Sequence, residues 1–381
     1  MDSFCTIVNF KYLPQAQVLI NSFRAVYPDH RFVTLITDIE TLDFKPLVGS
    51  EVLTVKSLKV DEMKIQNMRL IYDVVEFATA MKPYLLIHLL ADSVTATYLD
   101  PDVLVFSPLD FATIKAKEFG VVVTPHRLTP SKQLTFGLTE LTFLKYGTFN
   151  LGFISVGQSG YSMLNWWSQR LEFHSTRFPN GYVFTDQKWI DLLPSFFDHF
   201  ILKDPGYNFA PWNIDERNLW KFEDVYFIDN SPLVFIHFSQ MSDLLANGQW
   251  PDHWLSNFEN YPLKDDRIDL IHEITDLYRQ ELLREKARFG EFSYLRIASK
   301  DEFFPWPKRQ KMIEEMLTGS SIKIRHNSPK FFFIKLQKLL FRSSLLVGAY
   351  QGLREDLKRL RARSRRRKRI LAVIGGTKSD F

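Results

Sequence analysis

The 381-residue sequence contains a single cysteine, Cys5, so no disulfide can form within the chain. This composition fits a reducing compartment. The first residues, MDSFCTIVNFKYLPQ, have no basic segment followed by an apolar run, and we therefore expect no signal peptide. The chain also lacks an uninterrupted apolar run of about 18 residues, the length that a membrane-spanning helix needs. These absences predict a cytoplasmic protein that is soluble or bound peripherally to a membrane.

Basic residues are concentrated in one segment near the C-terminus. The net charge of the chain is +4, but residues 359–369, RLRARSRRRKR, contain eight Lys and Arg and no acid. Without those eight charges the remainder of the chain carries −4. A nucleic-acid-binding domain normally spreads its basic residues over a folded face with interleaved aromatics. We therefore expect no nucleic-acid partner.

Apolar residues are abundant, at 45% of the chain, and 15% of all residues are aromatic. Short apolar runs that are typical of strands alternate with helical patterns, which predicts an α/β fold with a mostly parallel, Rossmann-like sheet flanked by helices. In such sheets ligands bind beyond the carboxyl ends of the strands. Asp38, Asp100 and His126 each end a strand-like run, so we expect a site there. The predicted strands are 4–10, 31–38, 51–58, 93–100, 119–126, 150–156 and 233–239.

The sequence changes character twice after this α/β pattern. We assign residues 1–260 to the α/β domain, 261–327 to a helical extension and 328–381 to an amphipathic helix followed by the polybasic segment. Apolar and basic residues of the last segment fall on different faces, which is typical of a helix at a membrane interface. Basic residues beside it would attract an anionic membrane surface. The alternative is a helix that packs on protein, followed by a solvated tail.

The stretch YLDPDVLVF, residues 98–106, contains two aspartates around a proline. Asp-Pro-Asp can be a simple turn with side-chain caps. Here Asp100 ends a β-branched strand and an apolar run follows Asp102, so both carboxylates are presented at the edge of the predicted sheet. Two hard oxygen ligands favour Mg²⁺ or Mn²⁺. A turn and a metal site are both compatible with this stretch.

Four motifs in order resemble those of the nucleotide-sugar glycosyltransferases with the GT-A fold, and within them glycosyltransferase family 8 and its bacterial relatives. YLDPDVLVF is similar to the hydrophobic-Asp-x-Asp signature, FNLGFISV to the Phe-Asn-x-Gly strand, TDQKWIDLL to the Asp-Gln helix start, and VFIHFS to the strand with the last metal-binding histidine. The resemblance covers about residues 1–240. It implies a GT-A fold with the helical region as a C-terminal extension.

The resemblance implies that Asp100, Asp102 and His237 bind Mn²⁺ or Mg²⁺, although a single histidine at a strand end is more often structural. It also implies that Asn150, Asp186 and Gln187 lie near the transferred sugar and the acceptor, where they would take part in catalysis. Asp186 at a helix start could instead be an N-cap that accepts from backbone amides.

The same resemblance places the nucleotide at the end of the first strand, on Val8, Asn9, Phe10 and Tyr12. Lys82 stands where the family often has a basic residue that faces the diphosphate, and the alternative for it is a surface lysine before proline. We also assign the donor-binding role to three residues of the loop GYNFAPWN, because amides and aromatic faces suit sugars. These three are Asn208, Trp212 and Asn213. The alternative for this loop is a rigid aromatic scaffold.

One segment departs from the family pattern. The family usually follows the histidine with a glycine and a Lys-Pro-Trp segment over the diphosphate, whereas this chain reads HFSQMSDLLANGQWPDHW. Lys11, Arg69, Lys82 and Arg217 are the other candidates for phosphate contacts.

The motifs together predict a metal-dependent glycosyltransferase that acts in polysaccharide biosynthesis at the inner face of the cell membrane. The expected donor is a UDP-sugar, the expected acceptor is a glycan or a lipid-linked saccharide, and the expected stereochemistry is retention. One alternative is a sugar-nucleotide nucleotidyltransferase, although NFKYLPQAQ after the first strand lacks its usual glycine-rich basic loop. Another is a non-catalytic protein on the same fold that binds sugars or nucleotides. A glycoside hydrolase is disfavoured because it needs a second catalytic carboxylic acid at a defined distance, and no motif in the sequence indicates one.

Overall fold

The structure is a computed structural model that describes residues 1–39, 47–131, 140–177, 182–239, 241, 245, 247, 265–290 and 306–317. The strands are β1 Asp2–Val8, β2 Arg31–Ile36, β3 Glu51–Thr54, β4 Thr95–Leu99, β5 Val103–Val105, β6 Val121–Pro125, β7 Phe149–Gly157, β8 Phe200–Ile201, β9 Leu219–Phe222, β10 Val225–Ile228, β11 Ser231–Pro232 and β12 Phe235–His237. The helices are α1 Leu13–Val26, α2 Glu62–Ile71, α3 Val74–Ala80, α4 Lys82–Leu90, α5 Asp110–Phe119, α6 Glu140–Tyr146, α7 Tyr161–Leu171, α8 Leu193–Phe196, α9 Asp265–Gly290 and α10 Trp306–Leu317.

The main sheet has seven strands in the order β3-β2-β1-β4-β7-β6-β8. Six of them run in the same direction and β7 runs against them. The predicted α/β fold with a mostly parallel sheet and flanking helices is therefore confirmed. Nearly all residues of β1, β2 and β4 to β7 are buried, as expected for a sheet that is covered on both faces.

Two local predictions need correction. The predicted strand 51–58 ends at Thr54, because the side chains of Thr54 and Ser57 form a capping box that starts a 3-10 helix at Val55–Leu58. The predicted helix 68–91 is three helices, of which the first begins at Glu62. The helix is interrupted at Asp73, whose carboxylate caps α3, and a new helix begins at Lys82, as the Lys-Pro pair predicts.

The pairing of β6 with β7 shifts register at the edge of the sheet where the site residues lie. Val123 pairs with Ile154, but the next residue, Thr124, pairs with Asn150. The residues of β7 between these two partners therefore bulge out of the ladder, and one of them, Gly152, accepts from the amide of Asp100 instead. Bulges of this kind commonly redirect side chains beside active sites.

Two further elements complete the edge. The short strand β12 pairs antiparallel with β5, opposite Val103, and this pairing brings His237 next to Asp102. Helix α9, which lies in the region 261–327 where a helical extension is predicted, packs against α1 and β9. Its Tyr278 stacks on Phe238 with ring centroids 4.1 Å apart, which supports the strand end that carries His237.

The chain divides into two compact units, Met1–Ile313 and Glu314–Phe381, and of the second only residues 314–317 are described. The predicted amphipathic helix and polybasic tail within 328–381 lie outside the described residues, as does most of the segment after His237 that departs from the family pattern. Among the described helices, none combines the length and the apolar character that crossing a bilayer requires.

Candidate active site

The two aspartates and the late histidine of the sequence motifs meet at the edge of the sheet. The Nε2 atom of His237 lies 3.1 Å from a carboxylate oxygen of Asp102 and 3.6 Å from one of Asp100. One ligand atom from each residue lies within 4.8 Å of the other two. Within the part of the chain that the structure describes, this is the only such cluster of three candidate metal ligands.

The Asp-Pro-Asp stretch forms a turn, and the same turn directs the carboxylates of Asp100 and Asp102 toward His237. The amide of Val103 donates to the carbonyl of Asp100 across Pro101, at 3.2 Å, and closes the turn. The hydroxyl of Tyr98 donates to Oδ1 of Asp100 at 2.6 Å. That contact leaves Oδ2 of Asp100 as the oxygen that faces His237. Sequence analysis did not select Tyr98, although residues two apart on a strand share a face.

The charges of the cluster shift the proton affinities of its members. Burial raises the pKa of Asp102, but the adjacent imidazole of His237 outweighs this effect and holds the pKa below its usual value. Burial has the opposite effect on His237 and lowers its pKa, but the carboxylates of Asp102 and Asp100 outweigh burial and raise the pKa above its usual value. Without a cation the ring therefore tends to hold a proton between two carboxylates, which is the arrangement that a metal ion would replace.

A glycine makes room for the histidine ring. A Cβ atom on Gly152 would lie 2.6 Å from Nδ1 of His237 and 2.9 Å from Oδ1 of Asn150. The FNLG motif therefore has a packing explanation, because the imidazole occupies the space that a side chain at residue 152 would fill. The space above Gly152 lets the imidazole of His237 approach the two aspartates, and a donor set of two carboxylates and one imidazole fits a divalent cation such as Mn²⁺.

Asn150 orients the histidine from behind. Its Oδ1 accepts from the amide of Gly152 at 3.2 Å and lies 3.1 Å from Nδ1 of His237. Its Nδ2 lies 3.3 Å from Nε2 of His126, which directly follows β6. A metal-binding histidine commonly has such a partner on its second nitrogen. The resemblance implies that Asn150 lies near the transferred sugar, and in the structure its side chain lies between His126 and His237.

Lys82 lies between the acids of the two motifs. Its ammonium lies 2.9 Å from Asp186 and 3.5 Å from Asp100, and it donates to the carbonyl of Leu151 at 2.7 Å. Burial lowers the pKa of Lys82, but the carboxylates of Asp100 and Asp186 outweigh it and raise the pKa. Only 3% of Lys82 is exposed, so this lysine is neither on the surface nor open to solvent.

Asp186 does not cap a helix, because its side chain makes no cap hydrogen bond to the 3-10 helix Gln187–Leu192. It follows Thr185, a β-branched residue with a φ of +47°, which is a strained conformation for such a residue. Gln187 uses both ends of its side chain on backbone, since it accepts from Leu151 at 3.0 Å and donates to Tyr146 at 3.0 Å. The first bond ties the Asp-Gln segment to β7, which carries Asn150, and the second ties it to the end of α6.

The predicted nucleotide residues lie at the end of β1, beside Asp38. The amide of Phe10 donates to both carboxylate oxygens of Asp38, at 2.9 and 3.1 Å. Burial raises the pKa of Asp38 to about 6. Val8 and Phe10 are buried, and Asn9 and Tyr12 are partly exposed. Oδ1 of Asn9 is buried without a hydrogen-bond partner among the described residues.

The loop after β8 approaches the metal cluster through its tryptophan. The ring of Trp212 packs edge-on against His237 and His126, with centroids 5.2 and 5.4 Å away. Asn213 uses its side chain on backbone, including a 3.0 Å bond to the carbonyl of His126. Asn208 is fully buried with a φ of +56°, and within the described ranges neither polar atom of its side chain has a partner. Trp212 and Asn213 therefore hold this loop against His126 and His237.

The candidate phosphate-binding residues are dispersed. Arg217 is buried and donates to the carbonyls of Pro205 and Tyr207, so it supports the loop after β8. Arg69 donates to the carbonyl of Thr37. Lys11 is exposed at the end of β1.

Comparisons with known proteins give distant similarities. No family model matches the chain. The chain is 26% identical over 264 residues to the uncharacterized protein YfnF of Bacillus subtilis strain 168, across 62% of this chain and 81% of YfnF. It is also 26% identical over 250 residues to YfnD of the same strain, across 62% of this chain and 76% of YfnD.

Several solved structures of glycosyltransferases also resemble the chain. One is the galactosyltransferase LgtC in complex with donor and acceptor sugar analogues, at 15% identity and a TM-score of 0.40, across 81% of this chain and all of LgtC. Another is the glycosyltransferase GlyE of Streptococcus pneumoniae TIGR4, at 13% identity and a TM-score of 0.42, across 84% of this chain and 63% of GlyE.

Proposed function

We propose that this protein is a metal-dependent glycosyltransferase that transfers a sugar from a nucleotide-sugar, with a UDP-sugar as the expected donor, to a glycan or lipid-linked saccharide. The observation that carries the proposal is the convergence of Asp100, Asp102 and His237 at the carboxyl edge of the sheet. Mn²⁺ or Mg²⁺ held by these residues would neutralise the diphosphate as it leaves. The donor's nucleotide would lie toward Asn9 and Tyr12 at the end of β1.

The residues behind the cluster hold its ligands in place. Tyr98 and Lys82 fix one carboxylate oxygen of Asp100. Asn150 and the space above Gly152 fix the ring of His237. Such second-layer contacts keep ligand atoms within the narrow tolerance that a catalytic site needs.

The environment of Asp186 supports retention over inversion. An inverting enzyme needs a carboxylate base that can reach the acceptor hydroxyl. Asp186 is 2% exposed and its carboxylate is paired with Lys82, so it is poorly placed to accept a proton from solvent-borne substrate. In a retaining reaction the departing phosphate can take that proton, and Asp186 then serves to position Lys82 and the sugar.

The test is a screen of nucleotide-sugars with saccharide acceptors, in which nucleoside diphosphate release is measured with and without Mn²⁺. We expect Mn²⁺-dependent release of a nucleoside diphosphate with one donor class. Release of pyrophosphate would indicate the nucleotidyltransferase alternative instead. Tight binding of a nucleotide-sugar without turnover under any acceptor would indicate a non-catalytic binding protein.

A pair of variants isolates the cluster from general effects of removing a charge. Asp102→Asn removes a candidate ligand, whereas Asp224→Asn makes the same change at an exposed turn between β9 and β10. We expect the first to lose turnover by a factor of 100 or so, as loss of electrostatic stabilisation does elsewhere, and the second to retain it. Equal activity of both variants would contradict the proposal.

We also propose that residues 328–381 attach the enzyme to the anionic inner face of the cell membrane, where lipid-linked saccharides are assembled. The support is the amphipathic pattern and the eight basic residues of 359–369. Deletion of residues 328–381 should abolish sedimentation with vesicles of anionic lipid. Unchanged sedimentation of the truncated chain would refute this attachment.

A further inference from the structure

A chain of hydrogen bonds runs from the carbonyl of Thr148, just before β7, through His126, Asn150 and His237 to the candidate metal ligands. The Nδ1 atom of His126 lies 3.3 Å from the carbonyl of Thr148, and its Nε2 lies 3.3 Å from Nδ2 of Asn150. Oδ1 of Asn150 lies 3.1 Å from Nδ1 of His237. Nε2 of His237 then faces Asp100 and Asp102.

Both ends of this chain have fixed polarity. A carbonyl can only accept, so the bond to Thr148 requires the proton of His126 on Nδ1 and leaves a lone pair on Nε2. That lone pair accepts from the amide nitrogen of Asn150. At the other end the amide of Gly152 can only donate, at 3.2 Å, so it must face Oδ1 of Asn150. The two ends agree on one orientation of the Asn150 amide.

This orientation determines the tautomer of the metal-side histidine. Because Oδ1 of Asn150 accepts, Nδ1 of His237 must carry a proton, and Nε2 is then the nitrogen whose lone pair is available to a cation. The three side chains are 7%, 6% and 3% exposed in the order His126, Asn150, His237, so solvent offers little alternative partner. Burial lowers the pKa of His126 to about 4, and the ring is therefore neutral at neutral pH.

We infer that His126 is a positioning residue of the proposed metal site: it anchors the amide of Asn150 and, through it, keeps Nε2 of His237 free for the cation. The inference rests on the proposed metal-dependent function. Among the described contacts, the ring of His126 meets Asn150 and neither carboxylate of the cluster, so its effect on the cation must pass through Asn150.

The first test needs no variant and no metal. Because His126 is neutral at pH 7.5, long-range ¹⁵N–¹H correlation spectra of the ¹⁵N-histidine-labelled full chain report directly which ring nitrogen carries its proton. We expect the Nδ1–H form. The Nε2–H form of His126 would reverse the bond to Asn150 and overturn the inference.

The second test compares Mn²⁺ affinity of two matched variants by the electron paramagnetic resonance signal of free Mn²⁺. His126→Phe keeps an aromatic ring against Phe143 and Trp212 but removes the acceptor. His174→Phe makes the same change at a ring that packs against Trp189. We expect the dissociation constant to rise about tenfold for His126→Phe, as for other partners of metal ligands, and to stay within twofold for His174→Phe.

The outcomes separate this inference from the proposed function. If the unaltered protein binds Mn²⁺ and His126→Phe binds it within twofold as tightly, the positioning role is refuted while the metal site stands. If the unaltered protein shows no saturable Mn²⁺ binding, the metal site itself fails. Should His126→Phe not fold, the tautomer of His126 in the unaltered protein still decides the question.

Discussion

The substitution Gly152→Ala tests the metal site through its packing alone, without removal of a ligand. The added Cβ would lie 2.6 Å from Nδ1 of His237 and 2.9 Å from Oδ1 of Asn150, both too close for ordinary contact. The imidazole is the end of a side chain, so it can swing away, at the expense of its hydrogen bond to Asn150. That bond contributes about 1 kcal/mol, and residual crowding adds about 1–2 kcal/mol.

Gly157→Ala is the matched control, because it makes the same change on the same strand against a different neighbour. Its Cβ would meet the backbone carbonyl of Ala116, with the carbonyl carbon at 2.9 Å. Backbone cannot swing away, so we expect Gly157→Ala to be destabilised by as much as Gly152→Ala or more. Neither Gly157 nor Ala116 belongs to the metal cluster.

The two variants should therefore separate stability from metal binding. Displacement of His237 removes one of three ligands, and we expect Gly152→Ala to weaken Mn²⁺ binding about 100-fold or more, beyond the usual effect of losing a ligand's partner. Gly157→Ala should bind Mn²⁺ as the unaltered protein does. Calorimetric titration and thermal unfolding measure the two quantities. Normal Mn²⁺ affinity in folded Gly152→Ala would refute the assignment of His237 as a ligand.

Three further predictions follow from the buried charges. Mn²⁺ binding measured by calorimetry should weaken as pH falls, because the cation must displace a proton from His237, and the carboxylates of Asp102 and Asp100 raise the pKa of that ring. A Mn²⁺ affinity that is constant from pH 8 to 6 would contradict this. Burial lowers the pKa of His126 to about 4 in the folded protein, whereas the ordinary value is 6.5, so as the pH falls the unfolded chain takes up this proton before the folded protein does. The free energy of unfolding should therefore fall by up to about 3 kcal/mol between pH 6.5 and 4. Urea titrations should show a smaller fall for His126→Phe than for the unaltered protein. Lys82→Met leaves Asp186 buried without its cation and should cost about 3–5 kcal/mol at pH 8; this loss should shrink at acidic pH, where Asp186 can take up a proton, and a pH-independent loss would point to packing instead.

The sequence was most informative where chemistry is confined to short motifs. The acidic pair follows β4, FNLG begins the antiparallel strand β7, the Asp-Gln segment starts a 3-10 helix, and the late histidine ends β12. Ligands of α/β sheets bind at the carboxyl edge of the parallel strands, where these four motifs meet. The structure brings Asp100, Asp102 and His237 together there, and Asn150 and Asp186 beside them. The resemblance of these motifs to a known family predicted the cluster, whereas the residues of the acidic stretch alone left a turn and a metal site both open.

The supporting contacts could not be predicted in the same way, because they join residues that are distant in sequence. Asn150 meets His126 and His237, which are 24 and 87 residues away along the chain. Those pairings depend on β7 lying between β4 and β6 and on a register shift that no local pattern signals. Tyr98 is the exception, since its position two residues before Asp100 on a strand already placed both side chains on one face.

The position of Lys82 changes how the charge of the site is understood. The family resemblance implies that this lysine faces the diphosphate of the donor, and in the structure its ammonium lies against Asp186, Asp100 and a backbone carbonyl. Three carboxylates, those of Asp100, Asp102 and Asp186, then face one ammonium, so the cluster with neutral His237 carries two uncompensated negative charges. A divalent cation balances them, whereas a monovalent ion would leave one in a poorly solvated place. Lys82 pairs with Asp186 and with the Asp100 oxygen that does not face His237, and so leaves a net charge that a dication would balance.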